Sequence, residues 1–498
     1  MSDSRSQTRL RPSPRIVLAV AAIGGALAFV DATIVNIALP NMRQSFTHSS
    51  FATLSWVLNA YNIVLAAFLV AAGRIVDLLG RRRMFIIGIE TFVVASVLCA
   101  LAPTVWALIL FRVVQALGAA LLVPASQALV LNAFPPARRA HGIALLAAVA
   151  AGAAGLGPSL GGLLVAALNW RLVFLVNVPL GALAIALGRR QLVENRAPGR
   201  RRLPDLLGAL LFAVAVGALV TAVVDGGTWG WASLKVIGLF VVFAALTCVV
   251  AWRCTWHRAP VLDLSLLRDR SFTVANGMTL IAAGGFYGYT LANVLFLTQV
   301  WGYSVLKAGL AITIGPFVAM AVAGPTSVLV QRLGHRLVLF AGGVIWGVAI
   351  LWFVVRVGIR PDFLGEWLPG VVLLGLGAGT LFPNLSGAAV ASAPGDSFAT
   401  ATALNSVARQ CGAAFGVAIV VAVLGNPDAR TVMHAFHGAW TFGAGCMFAA
   451  GAGCLLIGSL RVAASPSITA ATREMLRPLE PAGQPSEAAP RARRAIVL

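Results

Sequence analysis

Gly73-Arg74-Ile75-Val76-Asp77-Leu78-Leu79-Gly80-Arg81-Arg82-Arg83 is a short charged stretch between two long apolar runs. Glycines at 73 and 80 permit a tight turn and close backbone approach. Asp77 is placed to cap a helix or meet an arginine, and the arginine triplet marks one side of a membrane. A weaker copy follows at Ser327-Val328-Leu329-Val330-Gln331-Arg332-Leu333-Gly334-His335-Arg336, with Leu, Gly and Arg at matching places. The chain therefore reads as two related halves, each turning around such a loop.

Composition sets the class. Of 498 residues, 59% are hydrophobic and only 11% charged, too little charge to cover a soluble protein of this size. The long apolar runs point to membrane-spanning helices rather than a barrel. The net charge of +21 invites a nucleic-acid reading, but the cations are one-sided. Of the 37 basic residues, roughly 28 fall in loops or tails on one side and roughly seven on the other, the positive-inside pattern. They form short loop clusters without an aromatic platform, so nucleic acid is not an expected partner, whereas anionic lipid is.

Expected spans are 16–39, 53–72, 84–102, 104–134, 141–168 and 171–188, then 206–224 and 234–252, then 273–300, 306–330, 337–355, 366–392, 398–425 and 437–460. That is about fourteen helices of roughly 20 residues or more, which puts both termini on the cytoplasmic side of a cell membrane. The matching segments Ala116–Pro124 and Gly375–Pro383 repeat at nearly the offset of the two charged loops. The organisation expected is a disordered basic N-terminus (1–15), a six-helix half (16–188), basic linkers with two inserted helices (189–271), a second six-helix half (272–460) and a disordered tail (461–498). Repeated halves are a transporter architecture with the site between them near midplane.

Chemistry is sparse. Asp31 lies in the first span, about 22 Å from one end, and Arg112 in the fourth, about 12 Å from the other. In a core of about 30 Å these depths nearly coincide, so the two are expected to face each other. A carboxylate there is costly and is a functional candidate. Burial and a facing guanidinium act in opposite directions on a carboxyl group, so a change of access can load and release a proton. The plainer alternative is a structural ion pair. Glu90 reads as snorkelling toward Arg82 or Arg83, and Arg409, at mid-depth, as a cation for an anionic substrate group or a facing acid.

Span five carries Gly155-Leu156-Gly157-Pro158-Ser159-Leu160-Gly161-Gly162, a small-residue face with a proline kink. The same letters satisfy G-x-S-x-G, but no strand precedes Ser159 and no intramembrane histidine is available as base, so an enzyme is not expected. The six cysteines and six histidines show no metal spacing. Lys235 and Lys307 follow leucines, not the glycine a phosphate loop needs, so transport would run on an ion gradient, without cofactor or metal. Tentative cavity residues are Trp56, Asn59, Tyr61, Asn62, Gln115, Tyr287, Asn293, Asn384, Asn405 and Arg409.

At these residues the chain resembles the major facilitator superfamily, specifically its fourteen-helix drug:proton antiporters, over roughly residues 16–460. The 73–83 stretch is similar to the family's loop between helices two and three. Asp31-Ala32-Thr33-Ile34-Val35-Asn36-Ile37-Ala38-Leu39-Pro40 resembles the helix-one motif, Arg112 and Gln115 the helix-four motif, and Gly157, Pro158, Gly161 and Gly162 the antiporter motif of helix five. Asn169-Trp170-Arg171 to Phe174 and Asn177-Val178-Pro179 resemble the opening of helix six. The resemblance implies all-α alternating access, with a hydrophobic or cationic drug leaving as protons enter, by a monomer. It implies proton coupling at Asp31 and Arg112, and a gating role for Gly73, Asp77, Gly80, Arg81 and Arg82, with Asp77 facing the start of span thirteen. The family's acid partner for Arg81 is missing between Pro124 and His141. A dedicated exporter of one endogenous antibiotic, metabolite or lipid, or a non-transporting sensor, is the alternative.

Overall fold

The computed structural model describes residues 13–135, 138–195, 203–257, 260–261, 264–391, 398–425, 428 and 430–458. The expected tails at 1–12 and 461–498 and the Arg200–Arg202 cluster lie outside the described residues.

The chain is helical throughout its described length. The first half comprises α1 (Pro14–Ser45), α2 (Phe51–Leu79), α3 (Arg81–Leu101), α4 (Val105–Ala133), α5 (Arg139–Ala167), the single turn α6 (Leu172–Leu175) and α7 (Asn177–Gln191). A hairpin follows, α8 (Leu206–Trp229) and α9 (Leu234–Trp256). The second half comprises α10 (Arg270–Leu295), α11 (Val305–Leu333), α12 (His335–Arg356), α13 (Leu368–Ala391), α14 (Phe398–Leu424) and α15 (Val432–Cys454). Wide π turns at Phe296–Val300 and Phe363–Trp367 extend α10 and precede α13. Among the described residues, twelve segments are long and apolar enough to cross a membrane, against the expected count of about fourteen. α5 and α15, of 29 and 23 residues, are of similar length.

Short polar side chains start many of these helices. Ser50 accepts from Thr53 N at 3.0 Å, Thr104 from Ala107 N at 3.2 Å, Asp269 from Phe272 N at 2.7 Å and Ser304 from Lys307 N at 3.2 Å. Each satisfies a backbone donor that the first turn leaves free. Several helices outrun the expected spans. α1 continues past Pro40 to Ser45, because a proline forfeits one hydrogen bond whereas stopping the helix would strip several.

The charged stretch is also more helical than its composition suggests. Gly73 to Leu79 complete α2, Arg81 begins α3, and Gly80 alone makes the turn, at φ 111°. Gly73 lies inside α2, so it is not a turn residue. Gly334 does the same between α11 and α12, at φ 81°. In each half the following arginine then reaches a carbonyl at the end of that half: Arg82 reaches Arg189 O in the last turn of α7 at 2.7 Å, and Arg336 reaches Ile457 O in the turn after α15. The repeat seen in the letters is thus a repeat in the hydrogen bonding.

The two halves meet along α5 against α11 and α2 against α14, while α8 packs on α2 and α14. Only 11% of the apolar stretch of α9 is buried, the exposure expected of a helix facing lipid.

Candidate functional site

Asp31 on α1 and Arg112 on α4 form an ion pair with essentially no solvent exposure, 0% and 1%. The pair is the centre of a network. Arg112 Nε donates to the Val57 carbonyl at 3.0 Å, and its NH1 also donates to Gln115 Oε1 at 2.6 Å. Gln115 lies three residues further along the same face of α4. Its amide donates to Asp31 Oδ1 at 2.9 Å and to Ser96 Oγ on α3 at 2.8 Å. Asn177, the first residue of α7, donates to Asp31 Oδ1 at 3.2 Å and Ser96 Oγ at 3.3 Å.

Ser96 spends its own proton on Phe92 O at 2.8 Å, leaving both lone pairs for the two amides. The Arg112 guanidinium lies over the Tyr61 ring at 4.1 Å and near the Phe174 ring at 5.8 Å. Burying two charges costs several kcal/mol per ion unless hydrogen bonds satisfy them; here α2, α4 and α7 supply those bonds, and Ser96 of α3 holds the two amides in place. Ser96 and Asn177 were not anticipated as members. The letters place Asn177 in a motif without a role, and a lone helical serine carries no signal at all.

The tentative cavity residues divide into distinct groups. Gln115 and Tyr61 belong to the network; the Tyr61 hydroxyl donates to Ala28 O at 3.4 Å. Asn293 accepts from Trp440 at 2.8 Å, Asn405 donates to Asn276 at 3.2 Å and Thr279 at 3.0 Å, and Asn384 donates to Thr380 O at 2.8 Å. These three amides are used in packing within the second half. Asn62 accepts from Gln410 at 3.4 Å across the two halves, and Arg409 lies 5.6 Å from the Phe29 ring. Tyr287 and Trp56 are half-buried. Asn59 is fully buried, and neither of its amide atoms has a hydrogen-bond partner among the described residues.

At the charged end, Arg81 pairs with Asp77 at 3.2 Å, across the Gly80 turn. α3 lacks a side-chain cap of its own, and Glu194, from the segment after α7, takes that place. Its carboxylate accepts from the backbone N–H of Arg82 at 3.2 Å and Arg83 at 3.0 Å. A Cβ on residue 80 would collide with that carboxylate, so glycine is needed there for space as well as for φ. Glu194 bonds the backbone of Arg82 and Arg83, whereas the Arg81 side chain pairs with Asp77. Glu90 pairs with Arg189 at 2.5 Å, not with Arg82 or Arg83; Arg189 ends α7, which packs on α3.

On α5 the small residues serve two neighbours. A Cβ at Gly157 would strike Thr33, and one at Gly161 would strike Ile37 and Ile34, so both admit α1 closely. One at Gly162 would strike the Val305 carbonyl on α11, and Gly309 of α11 likewise lies against the Pro158 carbonyl. The stripe thus sits at the seam between the halves, at the end opposite Gly80. A cleft of about 440 Å³ opens beside it, lined by Pro40, Arg43, Gln44, Gln299 and Tyr303 among others.

Residues 21–252 and 275–492 match the family model of the Major Facilitator Superfamily. The chain is 35% identical over 412 residues to "Multidrug resistance protein Stp" of Mycobacterium tuberculosis (strain CDC 1551 / Oshkosh), covering 82% of this chain and 75% of that protein. It is 30% identical over 420 residues to the "Tetracenomycin C resistance and export protein" of Streptomyces glaucescens, covering 82% and 76%. The crystal structure of the human organic anion transporter MFSD10 (TETRAN) superposes with a TM-score of 0.62 at 16% identity, over 89% of this chain and 100% of that one; this likeness concerns the fold alone.

Proposed function

The chain belongs to the major facilitator superfamily, and from that premise we propose that it is a proton-coupled antiporter exporting hydrophobic drugs or antibiotics by alternating access. The observation that carries the reading is the sealed Asp31–Arg112 pair on α1 and α4. Asp31 Oδ1 already receives two amide donors, so a proton entering the site is taken at Oδ2, where it displaces Arg112. The released guanidinium keeps the Val57 carbonyl and Gln115 Oε1 but loses its counter-ion. That cost makes protonation favour a second arrangement of the helices, the condition for a two-state element. The relatives' printed names, multidrug resistance and antibiotic export, support a drug as cargo.

The protein spans the cytoplasmic membrane with fourteen helices, counting α5 and α15 and reading α6 with α7 as one span, and acts as a monomer. The Gly80 end and both termini face the cytoplasm, in line with the one-sided basic residues. Halves at 16–188 and 272–460 flank the inserted pair α8 and α9, within 189–271. Asp77, Arg81, Arg82 and Gly80 form the cytoplasmic latch, and Gly157, Pro158, Gly161 and Gly162 the seam on the other side. The tetracenomycin relative favours a second, narrower reading, a dedicated exporter of one antibiotic.

Inverted vesicles carrying the full chain test the proposal. Addition of a transported drug from a panel of neutral, acidic and cationic aromatic compounds should dissipate an imposed pH gradient. No proton movement with any member would overturn it.

A further inference from the structure

Asp31 is consumed by Arg112, which leaves Arg409 on α14 as a charge in the middle of the bundle with nothing opposite. It is half-buried and has neither an ion pair nor a hydrogen bond among the described residues. Its guanidinium lies 5.6 Å from the Phe29 ring of α1, across the seam. The next residue, Gln410, bonds Asn62 of α2, so this turn of α14 faces the other half. α10 packs against this stretch of α14, with Gly412 lying against the Leu280 carbonyl.

Tyr287 belongs to a wall of packed rings on α10, α12 and α13. Phe286 lies 5.0 Å from Tyr287, 5.8 Å from Trp346 and 5.4 Å from Phe382. The Trp346 indole N–H is buried without an acceptor among the described residues. Glu90 is held by Arg189 at the charged end, and Asp225 lies in the last turns of α8, near Trp229.

We propose that Arg409 anchors an acidic group on the exported molecule, with the ring wall taking its aromatic body. The preferred cargo is then an aromatic amphiphile carrying a carboxylate or a similar anion, and cations of equal size are disfavoured. An uncompensated cation in a membrane interior is costly, and an anionic cargo removes that cost on entry. The guanidinium fork suits a carboxylate in two-point contact, whereas a cationic cargo meets repulsion from it. This inference rests on the export reading but concerns which cargo binds.

The test is equilibrium binding to the full chain in nanodiscs, with no pH gradient. Three fluorescent probes share one ring system: 9-anthracenecarboxylate, its neutral carboxamide and 9-(aminomethyl)anthracene. The wild type should bind the carboxylate at least about tenfold more tightly than the ammonium. Arg409→Gln should erase that preference while keeping the carboxamide affinity, and Arg409→Lys should restore part of it. If Arg409→Gln does not fold, Arg409→Lys alone decides, since a point charge without the fork should weaken carboxylate binding severalfold and leave the carboxamide unchanged. Equal or tighter ammonium binding by the wild type, no saturable binding of any probe, or an unchanged carboxylate affinity in the folded variants would overturn the inference. A carboxylate preference without proton-driven transport would support it while overturning the antiport reading.

Discussion

Asn177 donates a hydrogen bond to Asp31 at 3.2 Å from the first residue of α7, joining the sixth span of the first half to the carboxylate on the first. Removing that donor leaves Asp31 Oδ1 with Gln115 alone. Asn177→Leu should therefore slow drug-driven proton exchange severalfold, worth about 1 kcal/mol, with the protein still folded. Proton flux in vesicles of the folded variant checks it; an unchanged rate would show that this bond does not support the pair.

The sequence made the Asp31–Arg112 encounter legible because depth along a helix follows from residue count, and both charges sit in otherwise apolar runs. The remaining members were not, since Ser96 and Asn177 act through which face of α3 and α7 turns inward, and counting along a helix does not give rotation between helices. The same limit explains Asn293, Asn384 and Asn405, which their position suggested for a cavity and which bond inside the second half. The Gly80 turn was legible as a turn, but its extent was not: the charged letters on either side read as loop, while backbone satisfaction keeps them helical. Glu194 gave no local sign of its task, because it caps a helix more than a hundred residues earlier.

Glu194 replaces a helix cap that α3 cannot make for itself. Glu194→Ala should cost about 1 kcal/mol of local stability and raise amide hydrogen exchange at Arg82 and Arg83 while α12, whose start lacks this carboxylate, is unaffected. Exchange mass spectrometry of the full chain reads both sites, and unchanged protection at residues 82–83 would contradict the assignment.

Gly162 admits the Val305 carbonyl where α5 meets α11. Gly162→Val should prise this end apart at a cost of about 1–3 kcal/mol and slow transport about tenfold or more. Spin labels at the exposed positions Leu168 and Lys307 should show a longer distance in this variant. The same distance with full transport would show that the seam does not close there.

The central claim is that Asp31 carries the proton, and Asp31→Asn tests it most directly. That change keeps the shape and a hydrogen-bonding oxygen for Arg112 but removes the titrating group. In proteoliposomes of the full chain, uptake of a transported drug driven by a pH gradient should fall to background, while drug–drug counterflow without a gradient persists. Undiminished gradient-driven uptake in the folded Asp31→Asn protein would contradict the account.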